Sequence, residues 1–330
     1  MRFNTRSISK GIRHCRDNSD GILGFINLLY MSLRSFSIEG QLVSSGKQSS
    51  DSIIYVVQNG QKRWLYSFDM IEELDLHDRR IHYISSKRLK QLKNGQPIFP
   101  PTSKWAIRTE ISKKFLRGNG IEIGAFHDPL WTKPGTKVSY VDLPPEKASS
   151  KNVSPSTIGL VAVDICDDGE LLTRIADDSI DFIIANHFIE HCMNPLGTIR
   201  NHLKKIHAGG FLFYAIPNCQ KTFDKQRAIT TFEHLIKDDK EGGDISKRDH
   251  YLDYAKNVDH IDDSTAQIEH ALKFEQDDSR IHFHVWDADA IKDFLERAVD
   301  YFDGEFSVKE MISVDNEVIC LCQKQLINDG

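Results

Sequence analysis

The sequence predicts an α/β fold: a doubly wound, mostly parallel seven-stranded sheet with an antiparallel C-terminal hairpin, preceded by a small N-terminal α+β module. Three observations carry this. Between residues 118 and 216, short apolar runs alternate with amphipathic or turn-rich segments, the rhythm of βαβ units. Four of those runs end on a polar residue: Glu122 in IEIG, Asp142 in VSYVD, Asp164 in LVAVD and Asn186 in DFIIAN. Near the C-terminus, two strand-like runs are separated only by a turn at Asp315-Asn316, and strands joined so closely must be antiparallel.

The bulk numbers fit such a fold. With 330 residues, 40% of them hydrophobic and 27% charged, the chain can form one large domain with an appendage, or two domains, and has the composition of an ordinary soluble protein. A formal net charge of -6 gives no electrostatic reason to expect a nucleic-acid partner. Residues 1–45 read as a leader, flexible or helical. Its apolar stretch from Ile22 to Leu33 follows Arg2, Arg6, Lys10, Arg13 and Arg16. That stretch is shorter than the roughly 20 apolar residues a spanning helix needs, so no transmembrane segment is expected. Arg34 and Phe36 stand where a signal-peptide cleavage site would need small residues. Attachment to a membrane surface or a partner stays open for it.

Residues 46–100 read as the small module. Ile53 to Tyr66, IIYVVQNGQKRWLY, has two β-rich arms around Asn59-Gly60, a pair that accepts the positive φ angles of a type I′ turn. A helix from Asp69 to Leu74, a strand from Arg80 to Ile84 and a helix from Lys87 to Lys93 follow. Gly95 to Pro101, with three prolines, reads as a linker.

The remaining residues, 101–330, form the α/β domain. Ile107, Ile111 and Phe115 share one face of a helix from Trp105 to Leu116, stopped at Gly118 and Gly120. Strands Ile121 to Ile123, Val138 to Asp142 and Leu160 to Asp164 come next, then a helix from Gly169 to Ile175 and a strand from Ile180 to Ala185. A helix from Pro195 to Ile206 aligns Leu196, Ile199, Leu203 and Ile206, and ends at Gly209-Gly210 before a strand from Phe211 to Ile216. The polar stretch of about residues 218–285 is much longer than a plain crossover and reads as a substrate lid. A helix from Asp287 to Tyr301 and strands Phe306 to Ile312 and Val318 to Gln323 complete the domain. Six cysteines are scattered, and Cys320-x-Cys322 has no second pair to complete a zinc site, so free buried thiols in a reducing, cytoplasmic setting are expected.

In an open parallel sheet the strand ends line one crevice, where ligands bind. A row of acids there suits a ligand rich in hydroxyls and positive charge, and suits phosphate poorly. Gly124 lets a ligand approach the backbone because no Cβ intervenes. Only thirteen residues separate Gly124 from Val138, broken by Pro129 and Pro134. That leaves little room for a crossover helix whose N-terminus would hold a pyrophosphate, which argues against NAD. Asp142, eighteen residues after Gly124, can accept both hydroxyl protons of a ribose.

With this topology and these strand-end residues, the stretch from about Gly118 to Gln323 resembles the class I S-adenosylmethionine-dependent methyltransferases. IEIG, VSYVD, VAVD, DFIIANHFIEH and HAGGFLFYAIP fall in the expected order, although Phe126 stands where the family pattern has a second glycine. GIEIGAFHDPL, FIEHCMNPLGTIRNHL and IHFHVW are similar to a methyltransferase type 11-like subgroup associated with bacterial glycan and polysaccharide gene clusters. The Asn59-Gly60 hairpin resembles small modules beside bacterial surface and glycan enzymes. The resemblance implies a Rossmann-like methyltransferase using S-adenosyl-L-methionine, acting on oxygen of a saccharide or glycan-linked acceptor, with possible glycan-assembly protein partners.

It implies that Glu122, Gly124, Ala125, Phe126, Asp142, Asp164, Ile165, Asn186 and His187 hold the cofactor. Asp164 would sit near the adenine amino group, while Asp167 and Asp168 cap the following helix. His191, Asp224, Arg227, His234, His282 and His284 would face the acceptor. Ten of the fourteen histidines lie between His187 and His284. One of them could take the acceptor proton, with Arg227 gripping a sugar or an anionic group. A divalent metal on His282, His284 and His234 with Asp224 is the alternative, and hydrogen bonding of the histidines between lid and sheet is the purely structural one; no metal is assigned. Two other functions stay open: a non-catalytic cofactor-binding scaffold, and a nucleotide-sugar or NAD-linked oxidoreductase.

Overall fold

A computed structural model of the chain describes residues 38–45, 53–66, 69–126, 128–143 and 161–326. The apolar stretch from Ile22 to Leu33 lies outside them. The chain divides into two compact units, Met1–Pro100 and Pro101–Gly330. Among the described residues, no helix is long and apolar enough to cross a membrane.

The first unit is a five-stranded sheet in the order β4-β1-β2-β3-β5, made of β1 (Leu42–Ser45), β2 (Ile54–Gln58), β3 (Gln61–Trp64), β4 (Ile81–Ile84) and β5 (Lys93–Asn94). Asn59 and Gly60 both have positive φ, and the β2–β3 register puts Gln58 opposite Gln61, as the two-residue turn requires. Two short helices, α1 (Asp69–Glu73) and α2 (Ser86–Gln91), flank β4 in sequence. β1 corrects the expected leader boundary, because Leu42 and Val43 are buried sheet residues. The linker expected at Gly95 to Pro101 is also tied down: Ile98 N–H donates to Trp64 O at 2.8 Å, and Ile98 bridges Leu65.

The second unit holds a seven-stranded sheet in the order β11-β12-β10-β9-β6-β7-β8. Its parallel part is β6 (Asn119–Ile123), β7 (Lys137–Asp142), β8 (Ile165–Cys166), β9 (Ile180–Asn186) and β10 (Ile206–Pro217). The hairpin of β11 (Phe306–Val314) and β12 (Glu317–Lys324) is antiparallel, with β12 between β10 and β11. Alternate side chains of a strand point to opposite faces. Ile183, Ala185, Leu212 and Tyr214 therefore join one core with Leu196, Ile199 and Leu203 of α4 (Pro195–Lys205). Ile291, Phe294 and Leu295 of α8 (Ala288–Tyr301) enter the same core. Phe182, Ile184, Phe213 and Ala215 join the other, with Ile111 of α3 (Lys104–Phe115). Helices thus cover both faces of the sheet.

Two expectations fail between β7 and β9. Of the strand expected from Leu160 to Asp164, Leu160 lies outside the described residues and residues 161–164 are not strand; the third strand is Ile165–Cys166, and turns replace the helix expected from Gly169 to Ile175. The Asp167 carboxylate accepts from Asp168 N, Thr173 Oγ1 and Arg174 N, closing these turns without a helix. The insertion after β10 folds as three helices, α5 (Phe232–Glu241), α6 (Lys247–Asn257) and α7 (Ser264–Gln276), with Tyr251, Ala271, Ile281 and Phe283 as their own apolar core.

Candidate functional site

A cavity of about 270 Å³ opens at the carboxyl ends of β6, β7 and β9, where a parallel sheet places ligands. Ile123, Gly124 and Phe126 form one wall, Asp142 and Leu143 the next, Asp167 to Glu170 a third, and Asn186 to Phe188 with His191 and Arg280 the fourth. Gly124 has φ +63°, and a Cβ built there would meet only Phe126, at 3.7 Å. The backbone is therefore bare toward the cavity. The Asp142 carboxylate takes Leu143 N–H at 2.7 Å with one oxygen, which leaves the other for a ligand; burial pushes this carboxyl up.

Glu122 lies beneath that wall and is not part of it. It is 1% exposed, and both of its oxygens accept from Leu130 N–H at 3.0 Å. It thus shapes the helix-free chain between β6 and β7. Burial raises its carboxyl to about 8, with the Leu130 bond pulling the other way. Asn186 ends β9 at the cavity, and its Oδ1 is buried with no hydrogen-bond partner, an orphan that a ligand donor would satisfy.

Asp164 and Ile165 are corrections: neither lines the cavity. Asp164 is exposed and accepts Tyr140 N–H at 2.9 Å. Asp167 and Asp168 stand at the wall instead. With the Asp167 carboxylate held by its own turn, Asp168 is the better-placed acid, one of its oxygens taking Glu170 N–H at 2.8 Å. Ala125 is buried and, like Glu122, supports the loop without reaching the cavity.

His187 lines the cavity in a left-handed conformation, φ +50°. Its Nε2 donates to Glu317 at 2.9 Å and its Nδ1 lies 3.5 Å from Glu190. Burial alone would lower its pKa, but bonds to Glu190 and Glu317 overcome this and raise it to about 9. Glu317, the first residue of β12, also takes Arg108 Nε at 2.6 Å, and Lys104 lies 3.5 Å away. Burial would push the Glu317 carboxyl up; His187 and Arg108 bring it down to about 2.

The expected acceptor-facing residues separate into three places. His191 is the one on the cavity wall. Its Nδ1 donates to Ile281 O at 2.8 Å, which leaves Nε2 as a lone pair. Burial holds its pKa below the usual imidazole value although Glu190 pulls upward. Glu190 is fully buried beside it; burial pushes that carboxyl up, and His187, His191 and His282 bring it below the ordinary range.

Asp224 and His282 form a second group, Nδ1 to carboxylate at 2.7 Å, directly behind the wall, with the His282 ring 4.7 Å from that of His191. Arg227 is corrected from acceptor grip to internal tie, because its donors go to Asp224 at 2.9 Å, Asp253 at 2.6 Å and His282 O at 2.6 Å. His234 and His284 belong to a third group around Asp238, so the metal set of His282, His284, His234 and Asp224 does not assemble. Arg280 was missed by the sequence reading. It sits two residues before His282, lines the cavity and lies 3.6 Å from Glu170; its place just ahead of IHFHVW was the available signal.

No family model and no curated protein matches the chain. Among solved structures, an S-adenosylmethionine-dependent methyltransferase from Mesorhizobium loti is similar over 66% of this chain and 97% of its own, at 8% identity and TM-score 0.39. One from Aquifex aeolicus covers 68% of this chain and 98% of its own, at 11% identity and TM-score 0.35. A third, from Methanosarcina mazei, covers 64% and 94%, at 13% identity and TM-score 0.35. At these values the likeness assigns neither activity nor site residues to this chain.

Proposed function

We propose that the chain is an S-adenosylmethionine-dependent methyltransferase whose acceptor is a hydroxyl of a saccharide or glycan-linked molecule. One observation supports the cofactor most: the cavity joins the bare Gly124 turn to the Asp142 carboxylate and to an acid-rich wall, with no helix among the described residues between β6 and β7 to hold a pyrophosphate. In this reading Asp142 takes the ribose hydroxyls, Asp168 the adenine side, and the unpartnered Asn186 Oδ1 a donor of the ligand. Among the described residues of the cavity, Arg280, 3.6 Å from Glu170, is the cation placed to meet a carboxylate, since both ring nitrogens of His187 are engaged. When bound, S-adenosylmethionine would supply a methyl group on a sulfonium, passed in line to the acceptor oxygen with S-adenosylhomocysteine as the leaving group.

His191 takes the proton that the acceptor hydroxyl loses. It is held neutral by burial, its Nδ1–H is fixed on Ile281 O, and its Nε2 is free. A neutral imidazole so oriented is a competent general base. The buried Glu190 carboxylate next to it stabilises the imidazolium that results. The acceptor class rests on the similarity of GIEIGAFHDPL, FIEHCMNPLGTIRNHL and IHFHVW to the glycan-associated subgroup.

The test has two parts. Titration calorimetry with S-adenosylhomocysteine should show binding that Asp142→Ala weakens at least tenfold; binding of NAD with none of S-adenosylhomocysteine would sink the cofactor assignment. Transfer of labelled methyl to a saccharide fraction should fall by about 10²–10⁴ in His191→Ala, with S-adenosylhomocysteine affinity retained. Unchanged transfer would remove His191 as the base.

A further inference from the structure

Away from the cavity, three imidazoles and one carboxylate converge on a single point. His234 and Asp238 are four residues apart on α5, which places them on one face. His250 comes from α6, and His284 from the segment that follows α7. His234 Nε2 lies 3.1 Å from Asp238 Oδ2 and 3.2 Å from His250 Nε2. His284 Nε2 lies 3.1 Å from the same Asp238 oxygen. All four atoms fall within 4.8 Å of one another. Around a tetrahedral zinc ion with bonds of about 2.0–2.1 Å, ligand atoms stand about 3.3 Å apart.

Proton positions sharpen the point. His284 Nδ1 is 3.0 Å from Cys192 O, a group that only accepts, so Nδ1 carries a proton. In a neutral ring Nε2 is then a lone pair, and it faces a lone pair of Asp238. The same Asp238 oxygen faces His234 Nε2, which in turn abuts His250 Nε2. A proton on His234 Nε2 answers Asp238 and His250 but leaves His284 Nε2 facing Asp238 lone pair to lone pair; a cation at the centre relieves all three contacts. The surroundings suit an ion as well. Cys192 O fixes the His284 tautomer, and Ser246 Oγ donates to the other Asp238 oxygen at 2.5 Å, orienting the ligands as metal sites require.

We propose that His234, Asp238, His250 and His284 form a closed, four-coordinate site for a divalent transition ion, with zinc the best fit to three imidazole nitrogens and one carboxylate oxygen. Four protein ligands leave no position for a substrate, so the role is structural. The ion joins α5 and α6 to residues 281–286. That segment also reaches the cavity wall, because the main-chain N–H groups of Phe283 and His284 both donate to Glu190 O.

The full chain, purified without a metal-chelating column, should carry about one equivalent of transition metal per chain by plasma mass spectrometry. After removal by chelator, titration with Co²⁺ should produce the intense visible bands of tetrahedral coordination at one equivalent, and Zn²⁺ should abolish them. His250→Gln should lose the bands, while His270→Gln, in an exposed pair with Asp259, should keep them. Should His250→Gln fail to fold, the wild-type cobalt spectrum decides alone. A chain that carries no stoichiometric metal and shows no tetrahedral cobalt bands overturns the proposal, as do bands that survive in a folded His250→Gln.

Discussion

Replacing Glu317 by Gln keeps its shape and removes one charge from the centre of a buried cluster. Arg108 and His187 then face each other with Glu190 as the remaining nearby counter-charge. The size of the effect can be worked from the carboxyl itself. Its folded pKa of about 2 against an ordinary 4.5 corresponds to roughly 3 kcal/mol at about 1.36 kcal/mol per pH unit, within the range of about 3–5 kcal/mol for breaking a buried pair.

Because the folded value lies below the unfolded one, this stabilisation is complete above pH 4.5 and is lost as pH falls through about 2. His187 runs the other way. Raised from 6.5 to about 9, it contributes fully below pH 6.5 and loses its share as pH rises through 9. The two describe one interaction and are not summed. Urea unfolding of wild type and Glu317→Gln between pH 5 and 10 should therefore show a deficit of about 3 kcal/mol at pH 6. That deficit should narrow toward pH 10 without closing, since Arg108 stays charged. A deficit below about 1 kcal/mol at pH 6 would refute the reasoning.

Two further substitutions separate scaffold from site. Gly124→Ala should cost about 1–2 kcal/mol in unfolding experiments, the strain of φ +63° on an L-residue, while its Cβ, entering the cavity, weakens S-adenosylhomocysteine binding more than tenfold by calorimetry; equal binding would show that the ligand does not approach this turn. Arg227→Ala should cost about 3–5 kcal/mol by removing the guanidinium that faces Asp224, Asp253 and the His282 carbonyl, yet leave S-adenosylhomocysteine affinity within a few-fold; a stable variant would contradict its place as an internal tie.

The strands ending near Glu122, Asp142 and Asn186 were legible because an apolar run and the residue that stops it are local facts. Gly124, Asp142, Asn186 and His191 line the cavity. The third strand was not legible, because an edge strand held by two residues, Val141 to Ile165 and Asp142 to Cys166, leaves its apolar neighbours free. Val163, inside the run read as strand, is 43% exposed. Periodicity also cannot reveal partners far apart in sequence. Glu317 meets His187 across 130 residues, and Arg227 meets the His282 carbonyl across 55. The histidine density was visible, but its division between Asp224 and Asp238 depends on how α5 and α6 stack.

The place of β12 has a consequence for how the chain is made. It fills the gap between β10 and β11, pairing with β10 from Phe211 to Pro217, and it is the last strand of the sheet to leave the ribosome. Until then β10 presents an unpaired edge carrying Phe213, Tyr214, Ala215 and Ile216, an edge that invites pairing with other chains. Synthesis of roughly a hundred residues at about 5–20 per second leaves that edge open for several seconds. The helices inserted between β10 and β12 are made during this interval, and they lengthen the time the growing chain must be kept from its neighbours.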